Sequence, residues 1–186
     1  KYKNAPLYLL DTNLPENEDK WITGQLYGGF GEDRIAQEIV LGVGGVRALR
    51  ALGIDVDVYH FNEGHAVFAG IELIREKMAK MGLSFDQAVA LTRHEVVFTT
   101  HTPVKEGNEV HRHNILRYMG AHNGFSQSQM TGIGGDPFNM TVAGLRLARI
   151  ASAVAKLHGV TSNRMWQDVS GRAPIISVTN GVHPAT

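Results

Sequence analysis

The sequence predicts an α/β fold, a Rossmann-like and mostly parallel sheet with flanking helices. Three observations carry that prediction. Short apolar runs alternate with longer stretches of three- and four-residue apolar periodicity, the order expected when helices connect parallel strands. Polar clusters follow predicted strands directly, at Asn62-Glu63-Gly64-His65, at Thr99-Thr100-His101-Thr102-Pro103 and at Thr179-Asn180-Gly181. In open sheets of this class the ligand crevice lies outside the carboxyl ends of the strands, so the three clusters are expected to converge on one site. The 186 residues carry no linker, repeat or low-complexity tract, and residues 1–186 read as a single α/β domain.

Taken in order, residues 7–10 form an apolar run between Pro6 and Asp11 and read as a buried strand. Residues 11–19 hold Pro15 and four acidic side chains and read as a solvated loop, and residues 27–31 as a glycine-rich connection. Over 32–52, Ile35, Ile39, Val43, Val46 and Leu49 recur at helical spacing, and Gly53 fits a helix stop. Val56, Val58 and Phe61 suggest a second strand. Residues 66–81 read as a helix closed by Gly82, and Ser84 as the N-cap of another through Arg93. A third strand covers 96–98, a helix 108–119, and loop with one short helix 120–137. The longest periodic stretch, 139–166, has Met140, Leu147, Ile150, Val154 and Leu157 on one helical face, and 174–178 is the last strand.

Composition narrows the function. Lys and Arg number 18 and Asp and Glu 18, which argues against a polyanion binder and against a charged disordered tail. With no cysteine, disulfides, thiolate zinc sites and Cys nucleophiles are excluded, in keeping with a reducing cytoplasm. No apolar run approaches the ~20 residues of a membrane span. Residues 1–6 lack an apolar h-region and a cleavage site, so no signal peptide is expected. Glycine is abundant, 21 of 186, which suggests tight turns and close backbone approach.

Several motifs compete for a chemical role. Gly42-Val43-Gly44-Gly45 lacks the third glycine of a dinucleotide fingerprint, since position 47 is Arg47, and reads as small residues that let a helix pack closely. His60, His65, His111 and His113 show no His-Glu-x-x-His spacing, and no metal site is expected. Glu63 with His65 fits either a general-base pair or a hydrogen-bonded pair that shapes a loop. His101, flanked by threonines at a strand end, and Asn180 beside Gly181 offer neutral donors and acceptors of the kind sugar hydroxyls need. No nucleophile elbow, Walker loop or carboxylate pair is present. Read from the residues alone, the chain is an α/β domain with a polar ligand crevice.

Seven ordered blocks resemble the α-glucan (glycogen/maltodextrin) phosphorylase family, most closely its shorter bacterial and archaeal branch. They are Tyr8-Leu9-Leu10-Asp11-Thr12, Leu26-Tyr27-Gly28-Gly29, Arg34-Ile35-Ala36-Gln37-Glu38, His60-Phe61-Asn62-Glu63-Gly64-His65, Phe98-Thr99-Thr100-His101-Thr102-Pro103, Val154-Ala155-Lys156-Leu157-His158 and Thr179-Asn180-Gly181-Val182-His183-Pro184. The resemblance implies the C-terminal part of the N-terminal half of a two-domain GT-B glycosyltransferase fold. It implies phosphorolysis of α-1,4-glucan by inorganic phosphate with release of glucose 1-phosphate, assisted by pyridoxal phosphate. His101 is expected to bind the glucose 6-hydroxyl with its carbonyl near the anomeric centre, and Asn180 the sugar hydroxyls, with Thr100 and Thr179 beside them. Glu63 and His65 match an acidic residue and a histidine that line the cleft, where larger members read Asn-Asp-Thr-His, and Tyr27-Gly28-Gly29 begins a gating loop whose Asn and Asp are absent here.

No lysine here matches the cofactor lysine, which belongs to a second domain beyond position 186. The chain is therefore expected to be a cytoplasmic fragment, inactive alone, that binds neither cofactor nor nucleic acid nor membrane. An apolar face left by the absent domain would favour self-association. The alternative is a non-catalytic glucan-binding or subunit-interface module of the same ancestry.

Overall fold

The computed structural model describes residues 6–25 and 31–181. Among them the strands are β1 (Tyr59–Asn62), β2 (Val96–Thr100), β3 (Val110–His111), β4 (Phe138–Asn139), β5 (Ile150–Ala153) and β6 (Ile175–Ser177). The main sheet is parallel throughout, in the order β1-β2-β5-β6, while β3 and β4 pair as a small antiparallel ribbon. The helices are α1 (Glu32–Ile39), α2 (Gly45–Ala51), α3 (Val67–Met81), α4 (Phe85–Glu95), α5 (His113–Tyr118), α6 (Gln127–Gly134), α7 (Met140–Leu147) and α8 (Lys156–Met165). The α/β class and the parallel sheet stand as the alternation predicts.

Local chemistry explains the boundaries. A π turn over Val40–Gly44 joins α1 to α2, so the periodic stretch is continuous helix as expected. It ends in a Schellman arrangement: Ile54 N–H donates to the Leu49 carbonyl at 2.9 Å and Gly53 N–H to the Arg50 carbonyl at 3.1 Å. Gly53 takes φ +65°, which glycine adopts without steric penalty. Helix α4 opens on a capping box, with Ser84 and Gln87 each bonding the other's backbone N–H.

One face of the sheet carries the core. Tyr59, Phe61, Val96, Phe98, Ala151 and Ala153 are buried there. Gly70 of α3 lies against the Phe61 ring and Gly144 of α7 against the Phe98 ring, so both helices approach the sheet closely. The opposite face is more open and polar. On it a hydrogen-bond chain runs from His60 Nε2 to Thr99 Oγ1 at 2.6 Å and on to Ser152 Oγ at 2.8 Å.

Four expectations are corrected. Residues 7–10 form no strand, and Leu7 and Leu9 are 82% and 80% exposed; an apolar run becomes a strand only where a sheet edge receives it. β1 begins at Tyr59, with Tyr59 and Phe61 inward, whereas Val56 and Val58 precede it and lie out of phase with Phe61. The predicted helix over 108–119 is shortened to α5, because residues 110–111 pair with β4 and Asn108 is buried with Thr141 Oγ1 donating to its Oδ1 at 2.6 Å. The stretch 139–166 is two helices separated by β5. Ile150 and Val154 are spaced like helix neighbours, but the inward residues between them are the small Ala151 and Ala153, and Arg149 N–H donates to the Val96 carbonyl at 3.0 Å to start the ladder with β2. Of the glycine-rich connection 27–31, residues 27–30 lie outside the described residues.

The expected close packing at the glycine cluster holds. A Cβ on Gly42 would sit 2.6 Å from Ala69 N and 2.9 Å from Phe68 C, both backbone atoms of α3. Further along, Glu72 is buried between Arg47, Arg75 and Asn123, with Arg75 Nη2 to Oε1 at 2.5 Å and Arg47 Nε to Oε1 at 2.9 Å. Burial pushes its carboxyl up, but the hydrogen bonds from Arg75, Arg47 and Asn123 outweigh burial and hold it at about 2.

Gly42→Ala is expected to cost about 1–3 kcal/mol in urea denaturation, because backbone must move to admit the methyl. Gly45→Ala, with nothing within 4 Å, should be neutral or gain up to ~1 kcal/mol. Equal effects would contradict the packing. A depressed carboxyl contributes stability above its ordinary 4.5 and loses it as pH falls toward about 2. Glu72→Gln should therefore flatten the acid limb of the stability curve in that window; an unchanged limb would refute the anchor.

Candidate active site

Parallel pairing makes the carboxyl ends of β1 and β2 neighbours. Glu63 N–H donates to the Thr99 carbonyl at 2.9 Å and adds one rung beyond β1. There the chain turns sharply, with Glu63 at φ 63° and ψ −171°. That conformation costs a side-chain-bearing residue about 1–3 kcal/mol. The carboxylate offsets it. Oε1 accepts from Thr102 N–H at 2.9 Å and from His101 N–H, and the hydroxyls of Thr100 and Thr102 lie 3.4 Å from the same oxygen. Hydrogen bonds to an ionised acceptor are roughly twice as strong as neutral ones, so Glu63 fastens the loop that follows β2.

The fastening holds the His101 backbone while its side chain stays exposed, with no side-chain hydrogen bond among the described residues. Thr100 is buried at the end of β2. Thr179 and Asn180 are exposed beyond β6, where Asn180 N–H donates to the Val154 carbonyl at 3.1 Å. Registers Thr100–Ala153 and Ala153–Ser177 put β6 two strand spacings from β2, about 10 Å. The structure thus gathers Glu63, Thr100 and His101 in direct contact and sets Thr179 and Asn180 on the same edge. Exposed imidazole, amide and hydroxyl groups there suit an uncharged ligand rich in hydroxyls.

His65 belongs elsewhere. A 3-10 turn over Gly64–Ala66 carries it away from Glu63, and the two do not pair, either as a base pair or as a loop-shaping pair. Instead Arg34 Nη2 lies 2.7 Å from His65 Nδ1, and Glu38 Oε1 and Glu109 Oε2 lie 3.4 and 3.5 Å from it. Hydrogen bonding to Glu109 and Glu38 raises the His65 imidazole to about 9. Glu38 is pushed up by its burial; Glu109 is pushed up by burial but pulled lower overall by His65, Glu38 and Arg34. Sequence reasoning singled out none of Arg34, Glu38 and Glu109 as site residues. A signal was available: Glu38 interrupts the buried face of α1 marked by Ile35 and Ile39.

Comparison with known proteins follows the same residues. No family model matches the chain. It is 43% identical over 208 residues to the glycogen phosphorylase of Mycobacterium tuberculosis, covering 98% of this chain and 24% of that protein. It is 39% identical over 195 residues to the maltodextrin phosphorylase of Thermococcus litoralis, covering 97% of this chain and 23% of that protein. The glycogen phosphorylase of Aquifex aeolicus is 36% identical over 191 residues, covering 95% of this chain and 28% of its own length. The chain thus spans about a quarter of the length of these relatives.

Glu63→Ala is expected to raise hydrogen exchange of the His101 and Thr102 amides by one to two orders of magnitude, since charge-assisted bonds contribute about 1.5–3 kcal/mol. Exchange at Phe98, inside β2, should be unchanged. Equal protection of residues 101 and 102 in both proteins would show that the carboxylate does not hold the loop.

Proposed function

Because this chain belongs to the glycogen and maltodextrin phosphorylase family, we propose that its carboxyl-edge cluster is the sugar-binding half of an α-1,4-glucan phosphorylase active site. In that reaction an oxygen of inorganic phosphate forms a bond to the anomeric carbon of the terminal glucose. The glucosidic C–O bond breaks, the departing chain oxygen gains a proton, and glucose 1-phosphate leaves. The observation that carries the reading is the Glu63 carboxylate, which holds the His101 backbone and leaves its imidazole free at the edge.

Each residue has a role that follows from where it stands. The His101 imidazole bonds the glucose 6-hydroxyl, and its carbonyl faces the anomeric carbon as positive charge develops there. Asn180 bonds further hydroxyls, with Thr100 and Thr179 beside the two. Glu63 acts through His101 as a positioning residue. His65 stands in a separate network and lines the cleft without touching the sugar in this proposal.

The described residues do not fit pyridoxal phosphate. The described lysines are exposed apart from Lys77, which is paired with Glu95 at 2.8 Å, so no buried free amine is offered to the cofactor. The cofactor lysine would therefore lie outside the described residues, and residues 1–186 would form one domain of a two-domain GT-B enzyme of the cytoplasm, inactive alone. No described helix is long and apolar enough to cross a membrane. A second reading, an interface module that self-associates, draws support from Leu157 and Val160 of α8 and from Ile176 and Val178 at β6, which are all exposed.

In the complete enzyme, His101→Ala should lower turnover of maltodextrin and phosphate roughly 10²–10³-fold. Near-normal turnover would refute the role of His101. An intact wild-type enzyme that released no glucose 1-phosphate would refute the function and leave the interface reading.

A further inference from the structure

A second polar centre lies off the carboxyl edge, where α1, the turn after β1 and the segment entering β3 meet. Glu38, 3% exposed, places Oε1 3.5 Å from Arg34 Nε and 3.4 Å from His65 Nδ1. Glu109 gives Oε1 to Arg34 Nε at 2.7 Å. Three further atoms make long ionic contacts but no hydrogen bond. Glu38 Oε2, Glu109 Oε2 and His111 Nε2 are buried and have no hydrogen-bond partner among the described residues. Ligand atoms of Glu38, His65 and Glu109 lie within 4.8 Å of one another, and His111 Nε2 stands 3.8 Å from Glu38 Oε2. The His111 side chain is 10% exposed and turns its Nε2 toward Glu38 without a hydrogen bond.

We propose that Glu38, His65, Glu109 and His111 form a binding site for one divalent transition-metal ion of the zinc class. Polar atoms buried without partners cost free energy that a metal ion would recover. Two imidazoles and two carboxylates are the donor set of such an ion. A tetrahedral site with bonds of ~2.1 Å has edges of about 3.4 Å. Ligand atoms of Glu38, His65 and Glu109 already lie within 4.8 Å of one another, and the ion would draw these and His111 inward to reach it. Arg34 keeps its bond to Glu109 Oε1 and so orients that carboxylate, while the ion replaces its contact with His65 and displaces the imidazole proton. Arg34, Glu38 and His65 border a cavity of about 470 Å³ with Tyr8, Leu10 and Thr23, which gives the ion a path in. The site is distinct from the carboxyl-edge cluster and stands whatever sugar chemistry that cluster performs.

The test is calorimetric titration of the chelator-treated protein with Zn²⁺, paired with the visible absorption spectrum after Co²⁺ addition. The expected result is one saturable Zn²⁺ per chain and the strong visible bands of four-coordinate Co²⁺. His111→Gln and Glu38→Gln, each checked for native circular dichroism, should weaken Zn²⁺ about tenfold or more. His94→Ala, which removes an exposed histidine of α4, should change nothing. Absence of saturable binding, a weak six-coordinate Co²⁺ spectrum, or affinity that falls with His94→Ala but not with His111→Gln would overturn the site. Should Glu38→Gln fail to fold, His111→Gln and the wild-type Co²⁺ spectrum still decide.

Discussion

Parallel pairing of β1, β2, β5 and β6 ends four strands at one edge, and the placement of Glu63, Thr100, His101 and Asn180 depends on that constraint. A parallel ladder exhausts its backbone partners at its carboxyl end, so the chain beyond each strand must find others. Glu63 supplies them between β1 and β2. It takes a strained backbone turn and offsets the strain by lending one oxygen to the amides of His101 and Thr102. A neutral side chain of similar length would accept those bonds more weakly. The result is a loop with a fixed backbone and an exposed, unengaged imidazole, which is what recognition of a neutral polar ligand requires.

The same turn separates two kinds of chemistry. Glu63 and His65 are two residues apart, yet one closes the sheet edge and the other joins Glu38, Glu109 and Arg34. Positive φ at Glu63 and the 3-10 turn after it send successive side chains to different neighbours. At the edge the Glu63 charge is engaged by backbone amides. The second centre concentrates charge in a buried place. Small residues make both possible by letting layers close up: Gly70 and Gly144 bring α3 and α7 onto the sheet, and Gly42 brings the α1–α2 helix onto α3.

Much of this is legible in the sequence itself. Elements with strong periodicity and explicit stop signals, such as 32–52 ending at Gly53 and 66–81 ending at Gly82, fall where the pattern puts them. The three polar clusters at strand ends identify the carboxyl edge because strand order alone implies it. What failed was local in signal but tertiary in cause. β5 hides in a helical period because its inward residues are alanines, and residues 7–10 look like a strand yet receive no edge to pair with. The second centre draws on Arg34, Glu38, His65, Glu109 and His111, which are scattered across 78 positions and meet only when α1 packs beside β3. No local spacing announces such a meeting.

In the proposed function Glu63, through the loop after β2, presents His101 and Asn180 to one sugar unit. A crystal structure of the complete protein with a bound maltooligosaccharide tests it most directly. The His101 imidazole and the Asn180 amide are both expected within hydrogen-bond distance of the same glucose, with Glu63 still bonded to the amides of residues 101 and 102. A sugar seated away from this edge, or held there with the Glu63 bonds broken, would contradict it.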